Sequence, residues 1–260
     1  MTHAGPEMDA RVAQVWSCGG GTQSVAIAAL IIQGKLPKPD HALIVDTTRE
    51  RSRTWAYADA VLIPKLAAFG VDLVRVNRDD YTDIDLYSGA DGDELIMPVY
   101  TLPAGRRASF CSGEWKRDVA MRYMRKTLRL DAAVGWIGYS TDELRRVSTP
   151  RRKWYQFRYP LIDDVPMNRA QCVSLIARMG WPPPPRSSCW MCPHHSDAEW
   201  REMKEHEPDD FNKAVQLERE IREKDSGMYL SPRRIPLDQI NFANEPSLFT
   251  GSDCVGECFT

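Results

Sequence analysis

Long apolar runs are what this 260-residue sequence lacks first. No stretch approaches the roughly 18 apolar residues of a membrane-spanning helix, and the opening "MTHAGPEMDA" has neither the basic start nor the apolar middle of a secretory signal. The expectation is a cytoplasmic protein without a membrane partner. Internal repeats are missing, and low complexity is confined to the four prolines at 182–185. A large overall charge is missing too: 34 Lys and Arg face 36 Asp and Glu, for a net −2. With 43% hydrophobic and 27% charged residues the composition is that of an ordered chain, so disorder is not the default. Seven cysteines in a reducing compartment point to metal ligands or reactive thiols rather than a disulfide framework, and an odd number leaves at least one bystander.

The near-zero net charge conceals a polarised distribution. Residues 101–160 carry 14 basic and 5 acidic side chains, whereas 196–225 carry 11 acidic and 6 basic, so a polyanion would meet the middle of the chain. "AQVWS", "HALIVD", "VDLVRV" and "AAVGWIGY" read as short buried strands, with helical patterns over Thr22 to Ile32 and Thr54 to Phe69. Strands alternating with helices predict an α/β fold, a doubly wound, mostly parallel sheet. Residues 81–112 are irregular, and a loop of that length is usually functional or mobile. A helix over Asn168 to Met179, the prolines, "SSCWMCPHHSDAEW" and the charged helix "DDFNKAVQLEREIREKD" complete the chain. Asp209 and Asp210 suit the N-terminus of that last helix. The chain thus divides into an α/β domain, 1–165, and a cysteine-containing, mainly helical C-terminal region, 166–260.

"VWSCGGGTQSVAIAAL" places a strand ending at Ser17, three glycines and a helix starting near Thr22 in one turn. Such a turn aims backbone N–H groups and a helix N-terminus at one point, which suits a phosphate. It matches neither G-x-G-x-x-G nor the Walker pattern. The plain alternative is a tight turn that uses glycine only for its backbone angles.

"GGGTQS" resembles the pyrophosphatase loop (PP-loop) of the adenine nucleotide alpha-hydrolase-like superfamily, usually Ser-Gly-Gly-x-Asp-Ser. "VDTTRERSRTW", "SFCSGEWKRD", "IGYSTDELRRV", and "YPLIDD" followed by "PPPPRSSCWMCP" resemble, in order, the phosphoadenosine phosphosulfate reductase-like branch. That branch includes the ATP-pyrophosphatase component of DNA phosphorothioation systems. The resemblance implies that ATP, with Mg2+, sits on Ser17, Gly19, Gly20, Gly21, Thr22, Gln23, Ser24, Asp46, Thr47, Thr48, Gly138 and Glu143. Asp142 and Arg146 match the family's acidic and basic positions near the phosphates, where an Arg can neutralise departing pyrophosphate. Capping and turn formation are the plain alternatives for Asp46 to Thr48 and for Asp142 and Glu143. Two positions depart from the usual loop, Gly19 for Ser and Gln23 for Asp.

Cys189 and Cys192, two residues apart, can reach one metal. The resemblance makes Cys111, ahead of Lys116 and Arg117, a further cluster ligand and a catalytic thiol, with Cys258 or Cys254 as fourth ligand of a [4Fe-4S] cluster. The alternative is a structural Zn2+ on Cys189, Cys192, Cys254 and Cys258, which leaves Cys111 free. Cys172 and Cys18 read as core residues, and His194 and His195 as hydrogen-bonding neighbours of the cysteines.

Arg145, Arg146, Arg151, Arg152, Lys153 and Arg158 surround Trp154, Tyr155 and Phe157, the makeup of a single-stranded nucleic-acid groove over 145–158. A solvated charged face is the plain alternative. The expected function is an ATP-dependent sulfurtransferase that adenylates a nucleic acid, DNA backbone ahead of tRNA, with sulfur from a cysteine desulfurase. The alternatives are a sulfonucleotide reductase, against which stands the missing Glu-Cys-Gly-Leu-His tail, and a non-catalytic nucleotide-binding subunit, for which Gln23 speaks. A homodimer is left open.

Overall fold

The structure, a computed structural model, describes residues 12–88, 94–102, 105–107, 110–150 and 152–242. The apolar runs at Ala13–Cys18 (β1), His41–Asp46 (β2), Leu73–Asn77 (β3), Ala133–Trp136 (β4) and Tyr155–Arg158 (β5) pair, all in parallel, in the order β3-β2-β1-β4-β5. Alternate side chains leave opposite faces of a strand, and both faces here are covered. Trp16, Ala42, Ile44 and Trp136 face α1 (Thr22–Ile32) and the helix over 52–68, α2, which contains one π-helical turn at Ala58–Leu62. Val15, Leu43, Val45 and Tyr155 face α3 (Asp118–Lys126). The fold is therefore α/β with a doubly wound parallel sheet. β5 is the element the sequence reading did not separate: it lies inside the basic and aromatic stretch, and its Tyr155 is buried over Gly135.

The helix Arg169–Arg178 (α4) packs on α1, and its Cys172 is fully buried in the core of the sheet. Residues 169–178 thus belong to the sheet's core although they fall beyond the expected boundary at 165. A second core joins the C-terminal helices Asp197–His206 (α5) and Pro208–Lys224 (α6) to part of the segment expected to be a long irregular loop. Ile96, Met97 and Val99 from that segment pack with Trp115, Trp190, Trp200 and Phe211. Their burial is the reason the segment needs little regular structure: its order comes from packing. No helix among the described residues is long and apolar enough to cross a membrane.

Two histidines are enclosed where the cores meet. His195 lies edge-on to Trp200, with ring centroids 4.7 Å apart. Burial lowers its pKa to about 3 and, with Arg106 and Arg186 nearby, lowers that of His194 to about 4. Both are neutral at pH 7. The unfolded chain takes up their protons below about pH 6.5 while the folded chain does not. Stability is therefore complete above pH 6.5 and declines as pH falls toward 4.

Two outcomes are expected. Unfolding free energy drops by about 1–2 kcal/mol per buried histidine between pH 7 and pH 5, and His195→Gln flattens the profile in chemical denaturation series at the two pH values. Gly135→Ala drives a Cβ into the Tyr155 phenol, which lowers the denaturation midpoint by the equivalent of about 1–3 kcal/mol at unchanged slope.

Candidate functional site

The C-terminal ends of the parallel strands open on a cavity of about 260 Å³ between the two cores. In open α/β sheets this is where ligands bind. At one end is the glycine turn. Gly20 takes φ +73, and a side chain there would crowd Thr54; only glycine adopts that angle without strain. The Gly19 N–H donates to Ser24 Oγ at 2.9 Å, which stitches the turn closed. Ser17, Gly19, Gly21, Thr22, Gln23 and Ser24 all line the cavity, and the first turn of α1 presents N–H groups without helical acceptors.

Gln23 is the hub of the wall beside the turn. Its Nε2 donates to Glu143 Oε2 at 3.0 Å and to Ser140 Oγ at 3.4 Å, while its Oε1 accepts from Arg169 Nη1 at 3.4 Å. Glu143 Oε2 also accepts from the Ser140 hydroxyl and N–H, at 3.1 and 3.3 Å. Its Oε1 is ion-paired with Arg146, whose guanidinium lies 4.3 Å from the Tyr139 ring centre. Gly138, Glu143 and Arg146 line the cavity.

At the other end are the thiols. Cys111, Cys189 and Cys192 line the same cavity, and none of the three is in a disulfide. The N–H of Cys111 donates to the buried Ile96 carbonyl at 3.0 Å, and that of Cys192 turns back to Cys189 O at 3.1 Å. Against Cys189 lies an ion pair between half-buried Lys116 and buried Glu50, Nζ to Oε1 at 2.6 Å. Burial and the Glu50 carboxylate push the Cys189 thiol well above its ordinary range, with Lys116 pulling the other way. Thr47 Oγ1 is 3.8 Å from Cys189 Sγ. On the far rim, Arg106 donates to His194 Nδ1 at 3.4 Å, and Ser188 Oγ and His195 Nε2 are 2.9 Å apart.

Other sequence expectations lie elsewhere. Asp46 is not part of the cavity lining: Arg75 Nε donates to it at 2.8 Å, and it accepts the Thr48 N–H at 2.7 Å. Thr48, at φ 61, completes that turn outside the lining. Asp142 accepts the N–H of Arg169 at 3.2 Å, the role of a cap for α4. Cys18 is buried and its thiol is pushed up to about 11 by burial. Cys254, Cys258 and Arg151 lie outside the described residues. Within 145–158, Tyr155 is buried, Arg158 pairs with Asp164 at 2.7 Å, and Arg145, Arg152 and Lys153 are exposed.

Sequence reasoning missed Arg169, Arg186 and Ser187 as lining residues. The available signal was "RSSC": four prolines stiffen the approach, and Ser187 then lies against Gly20 and Gly21. Arg186 Nη1 meets both carboxylate oxygens of Glu199 at 2.6 Å.

Three cysteines lining one cavity suit a thiophilic group, iron–sulfur or zinc, although among the described residues no three His, Cys, Asp or Glu side chains already form a metal-holding group. For Mg2+ the donors do not fit. Glu143 is the lining's only carboxylate among the described residues, and Gln23, Ser140 and Arg146 occupy it.

No family model matches the sequence, and no curated protein matches it. Among solved structures, the chain is similar to a phosphoadenylyl-sulfate (PAPS) reductase from Candida auris in a phosphate complex, at 11% identity and TM-score 0.39 over 70% of this chain and 83% of that one. It is also similar to the U34-tRNA thiolase of Methanococcus maripaludis with its [4Fe-4S] cluster, at 13% identity and TM-score 0.42 over 89% of this chain and 73% of that one.

Proposed function

We propose that this chain is an ATP-dependent sulfurtransferase of the PP-loop type, in the phosphoadenosine phosphosulfate reductase-like branch. The observation that carries the reading is that a glycine turn at a helix N-terminus and three cysteines outside any disulfide line one cavity. Phosphates at the turn bring the α-phosphorus next to Arg146. A substrate oxygen attacks that phosphorus, the bond to pyrophosphate breaks, and the substrate is left as an adenylate. Arg146 stabilises the charge gathering on the departing pyrophosphate. A sulfur at the sulfide level, delivered by a cysteine desulfurase and an external thiol reductant, then displaces AMP from the adenylate. Cys111, Cys189 and Cys192 would hold a [4Fe-4S] cluster, which when bound supplies an iron site for that sulfide. The substrate is a nucleic acid, the DNA backbone ahead of tRNA. Exposed Arg145, Arg152 and Lys153 support phosphate contacts on the approach.

Gln23 in place of a carboxylate favours one second reading, a nucleotide-binding subunit without turnover. The assay that separates the two measures pyrophosphate release from ATP with DNA, tRNA or sulfonucleotide present. Nucleic-acid-stimulated release supports the sulfurtransferase, sulfite release from the sulfonucleotide supports the reductase, and tight nucleotide binding without turnover leaves only a binding subunit. Arg146→Ala is expected to slow pyrophosphate release by about 10²–10³, whereas Cys111→Ala leaves release intact and abolishes the thiolated product. Iron and zinc analysis of anaerobically purified protein distinguishes cluster from staple: stoichiometric zinc without iron overturns the cluster.

A further inference from the structure

We infer that the cavity neutralises the phosphates of its ligand with the cations of its lining, Lys116, Arg146, Arg169 and Arg186, not through a divalent cation held by protein carboxylates. The inference rests on the nucleotide reading above and assigns its phosphate ligands. These four cations line one cavity and come from four separate pieces of chain: the π-helical turn Gly113–Arg117, the 3₁₀ turn Thr141–Arg146, the first residue of α4 and the segment after the prolines. Packing has therefore gathered them from distant sequence, and each is oriented by a partner behind it. Glu50 holds Lys116 at 2.6 Å, Glu143 holds Arg146, the Gln23 amide oxygen holds Arg169 at 3.4 Å, and Glu199 holds Arg186 at 2.6 Å.

Among the described residues, Glu143 is the one carboxylate of the lining itself. Mg2+ requires near-octahedral oxygen ligands and is usually anchored by one or two carboxylates. Glu143 could serve only by giving up Arg146 and the three hydrogen bonds that Gln23 and Ser140 donate to it. Among the described lining residues, Gln23 stands where a second carboxylate would meet Glu143. Its amide satisfies an acid at one end and a base at the other, whereas an Asp there would set a carboxylate against that of Glu143. Planar guanidinium groups match phosphate oxygens with paired N–H donors, so arginine is the chemistry suited to replace the metal.

The test is calorimetric titration of the full chain with the α,β-methylene analogue of ATP, once in EDTA and once in excess MgCl2. The expected result is binding in EDTA within about threefold of that in magnesium. Arg169→Ala, at an exposed helix start, is expected to weaken binding in EDTA about tenfold or more without lowering the melting temperature. Binding that requires magnesium, or an unchanged affinity in Arg169→Ala, overturns the inference while leaving the nucleotide site standing. Absence of binding in both buffers overturns the nucleotide reading and the inference with it.

Discussion

A single antiparallel bridge determines where the chemistry-bearing parts of this chain meet. Just past β2, Glu50 pairs with Cys189, flanked by Arg51 N–H to Ser188 O at 3.1 Å and Trp190 N–H to Arg49 O at 2.9 Å. The pairing ties the cysteine segment to the C-terminal edge of the sheet. From there, Ser187 and Arg186 run past the glycine turn, and Cys189 is left above Glu50 and Lys116. Side chains from the C-terminal helices reinforce the tie. Arg51, almost fully buried, ion-pairs with Glu207, and Asp210 accepts the Ser52 N–H at 2.6 Å. Helix α2 has no cap of its own at that end, so these acids supply what its orphan amides need. Removing one partner of such a buried pair costs about 3–5 kcal/mol, because the other charge is left buried and uncompensated.

That connection gives the polarised charge pattern an internal use. The acidic stretch 196–225 contributes Glu199 to Arg186, Asp197 to Arg233, Glu202 to Arg53 and Glu207 to Arg51. Its carboxylates orient arginines of the seam rather than simply facing water. The basic stretch 101–160 supplies Lys116 and Arg146 to the cavity itself. Lys116 and Arg146 therefore line the cavity together with Arg169, Arg186 and Glu143, while Glu50 and Glu199 pair with two of these cations.

Local pattern made β1 to β4 and α1 legible, because a strand buried on both faces must be apolar throughout and a buried helix must be apolar nearly all round. Residues that depend on distant partners were not. Tyr155 to Arg158 looked like a polyanion surface because arginine and aromatic residues share that composition. Within the sheet, Tyr155 instead turns inward over a glycine, and Arg158 covers Trp136, its guanidinium 4.8 Å from the ring centre. Ile96 to Val99 looked like loop because their burial is arranged by helices more than ninety positions later in the chain.

Gln23 shows where local reading stops. In the sequence it is a missing carboxylate, and a missing carboxylate argues for lost chemistry. In the fold, its partners Ser140, Glu143 and Arg169 stand 117, 120 and 146 positions away. Among them an amide is the side chain that fits, since it can donate to the acid and accept from the base at once. The identity of residue 23 is therefore decided by charges the loop itself does not contain. The same reasoning applies to the cysteines: the spacing of Cys189 and Cys192 is local and readable, but the inclusion of Cys111 in the same lining depends on a carbonyl at Ile96 and a core that joins residues 95–115 to residues 190–242.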